Sequence, residues 1–451
     1  MGKEASVALG SFVSFPPFFS CGNKKKWGRR RMSNYGIVGF GCAGFQCVKA
    51  IRELDSTGEI CVYSDTPAPL YNPMLTTYYV AGKLDLEGVF PFGSVDEVAQ
   101  NYRLTMASSA AVKLDSARRE ITGADGTTRA YDKILISSGA KAIVPQVPGF
   151  PAEHIYTMRT LEDAKRLKAV LATAPPKRAI VVGASMVGIK LVEIFHNLGI
   201  ETVLADLAPR IFSAAAYQET SEIIEQRLSQ RGIGLRMGRS VASARQVGEG
   251  YLCTLSDGEE LETDMLVMCI GTFANVATAD ESIHINRGIV VNDRLETSAE
   301  GIYAAGDCCE GNNLQSGQSQ VIGLWANAFH QGRCAGINMA GGSAAYTGNV
   351  LHNITHFMDM DFIGLGDVRL QGEVLVCENQ KRGLYVRAVR DNGVLAGVNI
   401  LDNYRISGIL KNYFLGLLQQ SKGAIPAFQQ GLLLREGLSQ EFIWQLEEGR
   451  R

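Results

Sequence analysis

The sequence predicts an α/β fold in which one βαβ unit occurs twice and a smaller α+β domain follows. Two short apolar segments, Tyr35–Gly39 and Ala179–Val182, each run into a cluster of glycines. Each cluster is followed by a helical pattern and then by another short apolar strand. The chain has 451 residues, which is too long for one hydrophobic core and indicates two to three domains.

The first unit has the glycine pattern of a dinucleotide-binding loop. Gly39 allows a tight turn after the strand, Gly41 lets the backbone approach a pyrophosphate, and Gly44 allows the helix to pack closely on the strand. The helix N-terminus then faces the phosphates. Asp65 ends the next strand, where a carboxylate binds ribose hydroxyls. The predicted contacts with this dinucleotide come from Gly39, Gly41, Cys42, Ala43, Gly44 and Asp65.

The second unit repeats the pattern with one change, because Ser185 stands where the middle glycine is usual. The following strand ends at Asp206, whose carboxylate is placed to accept a hydrogen bond from the 2′-hydroxyl of NADH and to repel the 2′-phosphate of NADPH. Arg210 lies four residues further on and acts against that preference. NADH is therefore expected over NADPH. The predicted contacts come from Gly183, Ser185, Met186, Val187, Gly188 and Asp206.

A third motif, Gly301–Asp307, follows the two glycine clusters. Together the three motifs resemble those of the two-dinucleotide-domain flavoprotein reductases related to glutathione reductase. The resemblance implies two Rossmann-like domains, with FAD in the first and NAD(P)H in the second. It also implies that Asp307 holds the FAD ribitol and that a helix within Gly323–Gly332 faces the flavin. Further cofactor contacts implied by the resemblance come from Ser138, Gly139, Gly271 and Gly306.

The resemblance also divides the chain into domains. The C-terminal domain is expected to be α+β, because Asp391-Asn392-Gly393 lies between two apolar runs and is a strong hairpin signal. A helical apolar stripe, Ile406–Leu417, is interpreted as the face of a homodimer or of a partner protein. The expected segments are an extension at 1–33, the first part of an FAD domain at 34–148, an NAD(H) domain at 149–269, the second part of the FAD domain at 270–345, and an interface domain at 346–451.

The first 33 residues differ from the rest of the chain. Phenylalanines flank Pro16 and Pro17, and a basic run, Lys24 to Lys26 and Arg29 to Arg31, follows them. A secretory signal has the opposite order, with its positive charge first. We expect a disordered extension or an upstream start codon, with Met32 as the working start. An organelle transit peptide is the alternative, because the segment is basic and almost free of acidic residues.

One segment distinguishes the branches of the resembling family. The disulfide-reducing members carry cysteine beside the flavin, whereas the corresponding stretch here, Leu70–Thr77, has none. The chain therefore resembles the NADH-dependent rubredoxin and ferredoxin reductases and the flavin portion of nitrite reductases. This implies that electrons pass from NADH through FAD to a separate carrier protein. Two alternatives remain: an NADH oxidase or disulfide reductase that uses another cysteine, and a flavoprotein subunit that mainly binds partners.

Two charged positions of the family are changed. The family commonly pairs a lysine after the first motif with a glutamate on the helix after the second, and the matching positions here are Thr77 and Lys190. Our hypothesis is that Lys190 is the catalytic residue, supplying positive charge next to the flavin from the opposite side. The alternative is a solvated lysine on a helix surface.

Composition excludes several other classes of protein. The net charge is −2 with mixed signs, which does not suggest a nucleic-acid surface. No apolar run reaches the about 18 residues that a membrane span needs. The ten cysteines include no CxxC pair, which favours a reducing, cytoplasmic location and argues against zinc, haem or iron–sulfur sites. His352 and His356 lack a third ligand candidate, so no metal site is expected.

Overall fold

The computed structural model describes residues 33–66, 68–419 and 423–447. Contacts group them into two compact units. The first unit contains the described residues up to Lys141, with Thr272–Asn313 and Gly317–Asn349. The second contains Ala142–Gly271, Leu314–Ser316 and the described residues from Val350 onward. The expectations for the N-terminal extension lie outside the described residues, except at its last position.

The chain up to the first crossing between units begins with the predicted strand, glycine turn, helix and strand. Every residue of the first strand after Asn34 is buried, which explains its continuous apolar sequence. The elements are β1 (Asn34–Val38), α1 (Cys42–Leu54), β2 (Glu59–Tyr63), α2 (Thr76–Val80), α3 (Val95–Tyr102), β3 (Thr105–Met106), β4 (Ala111–Asp115), β5 (Glu120–Gly123), β6 (Thr128–Ala130), β7 (Lys133–Ile136) and β8 (Ala140–Ala142).

The next stretch of chain repeats this order. Its first helix starts at a threonine cap, because Thr160 and Asp163 form a capping box. The elements are β9 (Ile155–Thr157), α4 (Leu161–Thr173), β10 (Arg178–Val182), α5 (Met186–Asn197), β11 (Glu201–Asp206), α6 (Gln218–Gln230), β12 (Gly234–Met237), β13 (Val241–Val247), β14 (Gly250–Leu255), β15 (Glu260–Thr263) and β16 (Met265–Met268).

The chain then supplies the last strand and a long helix of the first unit. This helix is the partner of α1, and many of its residues are buried. The elements are β17 (Thr272–Ala274), β18 (Ile302–Ala304), β19 (Gly311–Asn312), β20 (Ser319–Gln320) and α7 (Trp325–Met339).

Each unit contains a five-stranded parallel sheet. Four strands follow the same order in both sheets, but the edge strand is the last strand of the first sheet along the chain (β18) and the first strand of the second (β9). The first runs β18-β7-β1-β2-β3 and the second runs β9-β16-β10-β11-β12. All neighbouring strands in both sheets are parallel. In the first unit, the three-stranded antiparallel sheet β4–β6 precedes β7, which pairs with β1. In the second, the antiparallel sheet β13–β15 precedes β16, which pairs with β10. The prediction of an α/β fold with two Rossmann-like domains is therefore confirmed.

The C-terminal stretch forms an antiparallel sheet with helices. The predicted hairpin is confirmed: two strands pair antiparallel up to Asp391 and Val394, and the turn residues Asn392 and Gly393 have φ of 48° and 77°. The sheet order is β21-β22-β25-β24-β23. The elements are β21 (His352–Phe357), β22 (Met360–Gly366), β23 (Glu373–Asn379), β24 (Leu384–Asp391), β25 (Val394–Leu401), α8 (Ser407–Leu418), α9 (Ala427–Glu436) and α10 (Gln440–Glu447).

This C-terminal sheet packs on the second Rossmann-like domain, with which it shares a unit. The Asn399 side chain accepts a hydrogen bond from the Tyr217 amide at 2.7 Å and donates one to the Ala215 carbonyl at 2.9 Å. Phe212 stacks on Phe362 with ring centroids 4.8 Å apart. The interface domain expected at 346–451 thus has its own sheet and core, but its contacts join it to the preceding nucleotide-binding fold.

The interpretation of the stripe Ile406–Leu417 as an exposed interface is wrong. Ile406 and Leu410 are fully buried and Tyr413 is nearly so, and all three belong to the core beneath the C-terminal sheet. The helix that the spacing of these apolar residues predicts is confirmed as α8. The stripe packs against the strands of the same domain instead of presenting a face to a second chain.

The contact between α1 and α7 is unusually close because of glycine. An added Cβ at Gly332 would collide with the Ala43 carbonyl oxygen, and one at Gly336 would collide with the Cys47 carbonyl oxygen. The two glycines lie four residues apart on α7, which places them on one face of the helix. Backbone therefore packs on backbone along this line.

We predict that Gly332→Val forces α1 and α7 apart. Overpacking of a close core contact costs about 1–3 kcal/mol, so the free energy of unfolding should fall by that amount. The amount of FAD that stays bound to the purified protein should also fall. Urea denaturation and the flavin content of the purified protein measure both effects.

Gly408→Ala is the matched control, because Gly408 lies in α8 and its added Cβ meets nothing within 4 Å. That variant should be as stable as the wild type or slightly more so. If Gly332→Val keeps wild-type stability and FAD, the proposed importance of the close contact is contradicted.

Candidate functional site

The first glycine loop is built by three different constraints. Gly39 has φ of 90°, and an added Cβ there would collide with the Ser137 carbonyl oxygen. An added Cβ at Gly44 would collide with the Gly39 carbonyl oxygen, so the helix rests directly on the turn. At Gly41, by contrast, an added Cβ meets nothing within 4 Å. The middle glycine alone faces open space, as a position that admits a ligand phosphate requires.

The start of α1 is suited to an anion. The helix begins at Cys42 with no side-chain cap and no acidic residue in its first turn. The first amide groups of a helix need acceptors and carry partial positive charge. The pyrophosphate of a dinucleotide supplies such acceptors. The open space at Gly41 and the uncapped start of α1 therefore fit FAD.

The third motif lies beside this loop. Gly306 has φ of 87°, and its added Cβ would come within 3.1 Å of the Ala43 side chain. Burial, and then the negative charge of Asp307, raises the pKa of the Cys42 thiol to about 12. The structure thus brings Asp307, Ala43 and Cys42 together, although they are far apart in the sequence.

The strand β7 ends next to the same loop. The Ser137 hydroxyl donates to the Gly39 carbonyl at 2.8 Å, which fixes the turn. The Ser138 hydroxyl donates to the Asn275 carbonyl at 2.6 Å, and the Asn275 amide donates to the Gly139 carbonyl at 2.9 Å. Ser138 and Gly139 therefore close the edge of the first unit around the loop.

Asp65 and the start of α7 are the outer parts of this candidate site. Asp65 lies two residues beyond the end of β2 and is exposed, with Thr66 as its hydrogen-bond partner at 3.2 Å. The predicted flavin-facing helix begins at Trp325, later than Gly323. Like α1, it has no side-chain cap and no acid in its first turn. The Trp325 carbonyl lies 3.6 Å from Cys42 Sγ, so the two helices begin side by side.

The second glycine loop repeats this geometry with one difference. Gly183 has φ of 111°, and added Cβ atoms at Gly183 and Gly188 would collide with backbone carbonyls. At the middle position, the Ser185 hydroxyl accepts from the Gly188 amide at 3.2 Å and donates to the Cys269 carbonyl at 3.0 Å. Ser185 is thus the N-cap of α5, which Met186 begins. One amide that the first loop leaves free is satisfied internally here.

The carboxylate at the end of β11 is held against this loop. Asp206 accepts from the Ala184 amide at 2.6 Å and from the Ala208 amide at 2.7 Å. These bonds fix the carboxylate at the loop, where an adenine ribose is expected. Gly271, with φ of 110°, lies in the same unit, and its carbonyl accepts from the Ile143 amide at 3.1 Å. Val187 is partly exposed at the start of α5.

Lys190 lies in a buried ion pair. Its ammonium is 2.5 Å from a Glu193 carboxylate oxygen and donates to the His356 carbonyl at 2.6 Å. Both charged side chains are about nine-tenths buried. Thr77 is buried in α2 of the other unit. The flavin role of Lys190 stays a prediction, while the alternative of a solvated lysine is wrong.

The two spaced histidines have other partners. His352 and His356 lie on strand β21 rather than on a helix. His352 Nε2 is 2.9 Å from the Lys411 ammonium, and His356 Nδ1 is 2.8 Å from Asp361. In the part of the chain that the structure describes, no three His, Cys, Asp or Glu side chains are grouped so that they could hold a metal ion.

The cysteines of the described ranges are unpaired, and all nine of them are buried. Burial raises the pKa of the Cys269 thiol to about 12 and that of Cys308 to about 11. Burial and the neighbouring charges of Cys308 and Asp307 raise the pKa of Cys309 well above its ordinary value. These thiols are protonated at neutral pH, and the thiolate is the reactive form.

A family model described as pyridine nucleotide-disulphide oxidoreductase matches residues 33–332. The chain belongs to this family. It is an oxidoreductase that uses FAD and a pyridine nucleotide, as the resemblance implied. Within the described ranges, no helix has the length and apolar character needed to cross a membrane.

Individual relatives agree with this assignment. The chain is 28% identical over 389 residues to subunit epsilon of an NADH-dependent phenylglyoxylate dehydrogenase from Aromatoleum evansii, covering 85% of this chain and 91% of the relative. It is 25% identical to a rubredoxin-NAD(+) reductase from Pseudomonas putida, covering 68% and 80%. A crystal structure of a ferredoxin reductase from Rhodopseudomonas palustris superposes with a TM-score of 0.79 at 23% identity, covering 89% and 99%.

Two residues that support the site were missed as functional candidates. Gln331 is fully buried, and its side-chain oxygen accepts from the Gly306 amide at 2.8 Å, which fixes the loop before Asp307. Glu193 is the partner of Lys190. For Gln331, the signal is a polar residue on the same helix face as the small residues Ala328, Cys334 and Ala335. For Glu193, the signal is the i,i+3 spacing from a lysine.

We predict that Gly41→Val and Gly44→Val fail in different ways. The side chain at position 41 enters the open space, so FAD affinity should fall at least about tenfold while unfolding of the FAD-free protein changes by no more than about 0.5 kcal/mol. The side chain at position 44 collides with backbone and should destabilise the FAD-free protein itself by about 1–3 kcal/mol. Flavin fluorescence titration and urea denaturation separate the two. Equal loss of stability in both variants would contradict the assignment of Gly41 to the ligand.

We predict that Lys190→Met destabilises the protein by about 3–5 kcal/mol, because it leaves the Glu193 carboxylate buried without its partner. The double variant Lys190→Met/Glu193→Gln should recover most of that loss. Denaturation curves measure both.

The flavin role of Lys190 has a separate readout. If the lysine acts on the flavin, Lys190→Glu should alter the flavin midpoint potential and the rate of reduction by NADH. If the double variant is stable and both quantities equal those of the wild type, Lys190 is a structural residue only.

Proposed function

We propose that this protein oxidises NADH and passes the electrons through FAD to a separate acceptor, a small electron-carrier protein. The observation that carries the proposal is the pairing of two dinucleotide loops with the absence of an available thiolate in the described part of the chain. FAD, when bound, accepts a hydride and releases electrons singly. A second redox centre is therefore not required.

The cysteines argue against dithiol exchange. Cys42 is the described cysteine at the first loop, and burial together with Asp307 keeps it protonated. Cys308 and Cys309 follow Asp307 but are buried, with raised thiol pKa values. A disulfide reductase or a cysteine-dependent NADH oxidase needs a reactive thiolate beside the flavin. These three cysteines do not supply one in their resting positions.

The protein's own groups orient the two nucleotides. The first loop offers open space at Gly41 and an uncapped helix start at α1, and Asp307 is expected to hold the ribitol. In the second unit, Asp206 is fixed by two backbone amides beside the loop, which supports NADH over NADPH. Holding both partners in place accounts for the protein's share of such a reaction. We place the protein in a reducing, cytoplasmic setting because its described cysteines are unpaired.

A flavoprotein subunit of a multi-protein complex is the second candidate. The relative from Aromatoleum evansii, which aligns over most of both chains, is itself named as a subunit of a dehydrogenase. In that case the electrons come from or go to a fixed partner instead of a diffusing carrier.

We expect one equivalent of NADH to bleach the flavin fully in an anaerobic titration of the purified protein. The reason is that FAD is then the single redox centre. No long-lived thiolate-to-flavin charge-transfer band should develop. A requirement for two equivalents, or a persistent band, would contradict the proposal and favour an NADH oxidase or a disulfide reductase.

Steady-state assays separate the two remaining candidates. Turnover of NADH with rubredoxin or ferredoxin should approach turnover with ferricyanide if a diffusing carrier is the acceptor. Fast turnover with ferricyanide alone, together with copurification of a stoichiometric partner, would favour the subunit.

A further inference from the structure

A cavity of about 590 Å³ lies at the edge of the first unit where strands β1, β2 and β3 begin. This is the amino-terminal edge of the parallel sheet, because its lining includes the first residues of all three strands. The glycine loop lies at the opposite edge. The lining residues are Asn34, Arg52, Ser56, Thr57, Gly58, Glu59, Ile60, Cys61, Arg103, Thr105, Arg129 and Tyr131.

The lining carries an excess of positive charge. It contains three arginines, Arg52, Arg103 and Arg129, and one carboxylate, Glu59. Among the residues that the structure describes, no carboxylate lies within ion-pair distance of any of the three guanidinium groups. Asp55 is near, but its carboxylate accepts hydrogen bonds from the backbone amides of the turn that follows it.

Arg52 is a fixed cation in the wall. Its guanidinium donates to four backbone carbonyls: those of Asp55 at 3.1 Å, Gly58 at 2.8 Å, Tyr102 at 2.6 Å and Arg103 at 2.7 Å. Burial, and then the charge of Arg103, lowers the pKa of Arg52. The two cations therefore repel each other, and the nearby charge of Asp55 offsets that repulsion only in part.

Arg103 and Arg129 are the groups that are free to contact a ligand. Both residues are exposed and line the cavity, and Arg129 Nη1 is 3.8 Å from Cys61 Sγ. Arg103 has φ of 46°, a left-handed conformation that is uncommon for a residue with a side chain. The hydroxyl groups of Ser56 and Thr57 also line the cavity.

The cavity is separate from the redox site. Strand β1 runs from Asn34 to Val38, and the glycine loop starts at Gly39. With a rise of about 3.3 Å per residue, the two edges are about 16 Å apart. A ligand here would not touch the flavin or the nucleotide loop, and an electron carrier docked here would be remote from the flavin.

We propose that this cavity binds a small phosphate-bearing ligand. Guanidinium groups present planar sets of donors that match phosphate oxygens, and their charge stays fixed over the whole physiological pH range. The volume falls within the usual range for a small-molecule site. The observation that points to an anion is the presence of three arginines at one cavity, none of them in an ion pair with a described residue, and the hydroxyl groups supply further donors.

The test uses the FAD-loaded enzyme with its second nucleotide site saturated by NAD⁺, so that phosphates cannot enter that site. Inorganic pyrophosphate and adenosine 5′-monophosphate are titrated separately by calorimetry, with sulfate at equal ionic strength as the reference anion. We expect one site for at least one phosphate probe, with sulfate at least tenfold weaker. Tighter binding of the monophosphate identifies an organic ligand, and tighter binding of pyrophosphate identifies an inorganic one. No binding of either, or equal binding of sulfate, overturns the proposal.

Variants locate the site. Arg103→Ala/Arg129→Ala should weaken phosphate binding at least tenfold, and Arg103→Gln/Arg129→Gln should do the same while keeping side-chain size. Arg231→Ala/Arg435→Ala removes the same charge at two exposed positions of the other unit and should bind as the wild type does. Flavin content and NADH:ferricyanide turnover should be unchanged in all of them. If the first two variants bind phosphate as tightly as the charge-matched control, the ligand is held elsewhere and the proposal fails.

Discussion

The close contact between α1 and α7 is the constraint on which the first unit depends. Gly332 and Gly336 let the two helix backbones touch, so both helices begin side by side at the candidate FAD site. The same approach places Gln331 under the Gly306 amide. A side chain at either glycine would collide with the backbone of α1. The lack of side chains at Gly332 and Gly336 thus sets the spacing of the two helices at the candidate cofactor site.

The second glycine loop has the same turn geometry as the first, but one of its backbone amides is already hydrogen-bonded to a side chain. The first loop leaves its middle position open, whereas Ser185 fills the corresponding position and caps α5. Fewer donors are then left for a phosphate in the second loop. Asp206 is held in place at this second loop by two backbone amides.

The sequence predicted the parts of the fold that local chemistry determines. The strands, both glycine loops and the Asn392-Gly393 turn followed from apolar runs and from positions that only glycine or asparagine tolerates well. The stripe Ile406–Leu417 was misassigned because periodicity reveals a buried face but not what covers it. The His356 carbonyl beside Lys190 depends on strand β21, more than 150 residues away in the chain, and no local pattern encodes that contact. The arginine-lined cavity is equally non-local, since Arg52, Arg103 and Arg129 meet only after the sheet has formed.

The second unit is built from separate segments of the chain, and their order in the sequence is the order in which they are synthesised. Its Rossmann-like fold is complete in sequence by Gly271, yet Tyr217 and Phe212 pack against strands that follow Val350. A ribosome therefore delivers the whole first unit before the last strands of the second unit leave the exit tunnel. The apolar surface around Phe212 is therefore completed only when the strands that follow Val350 have been made.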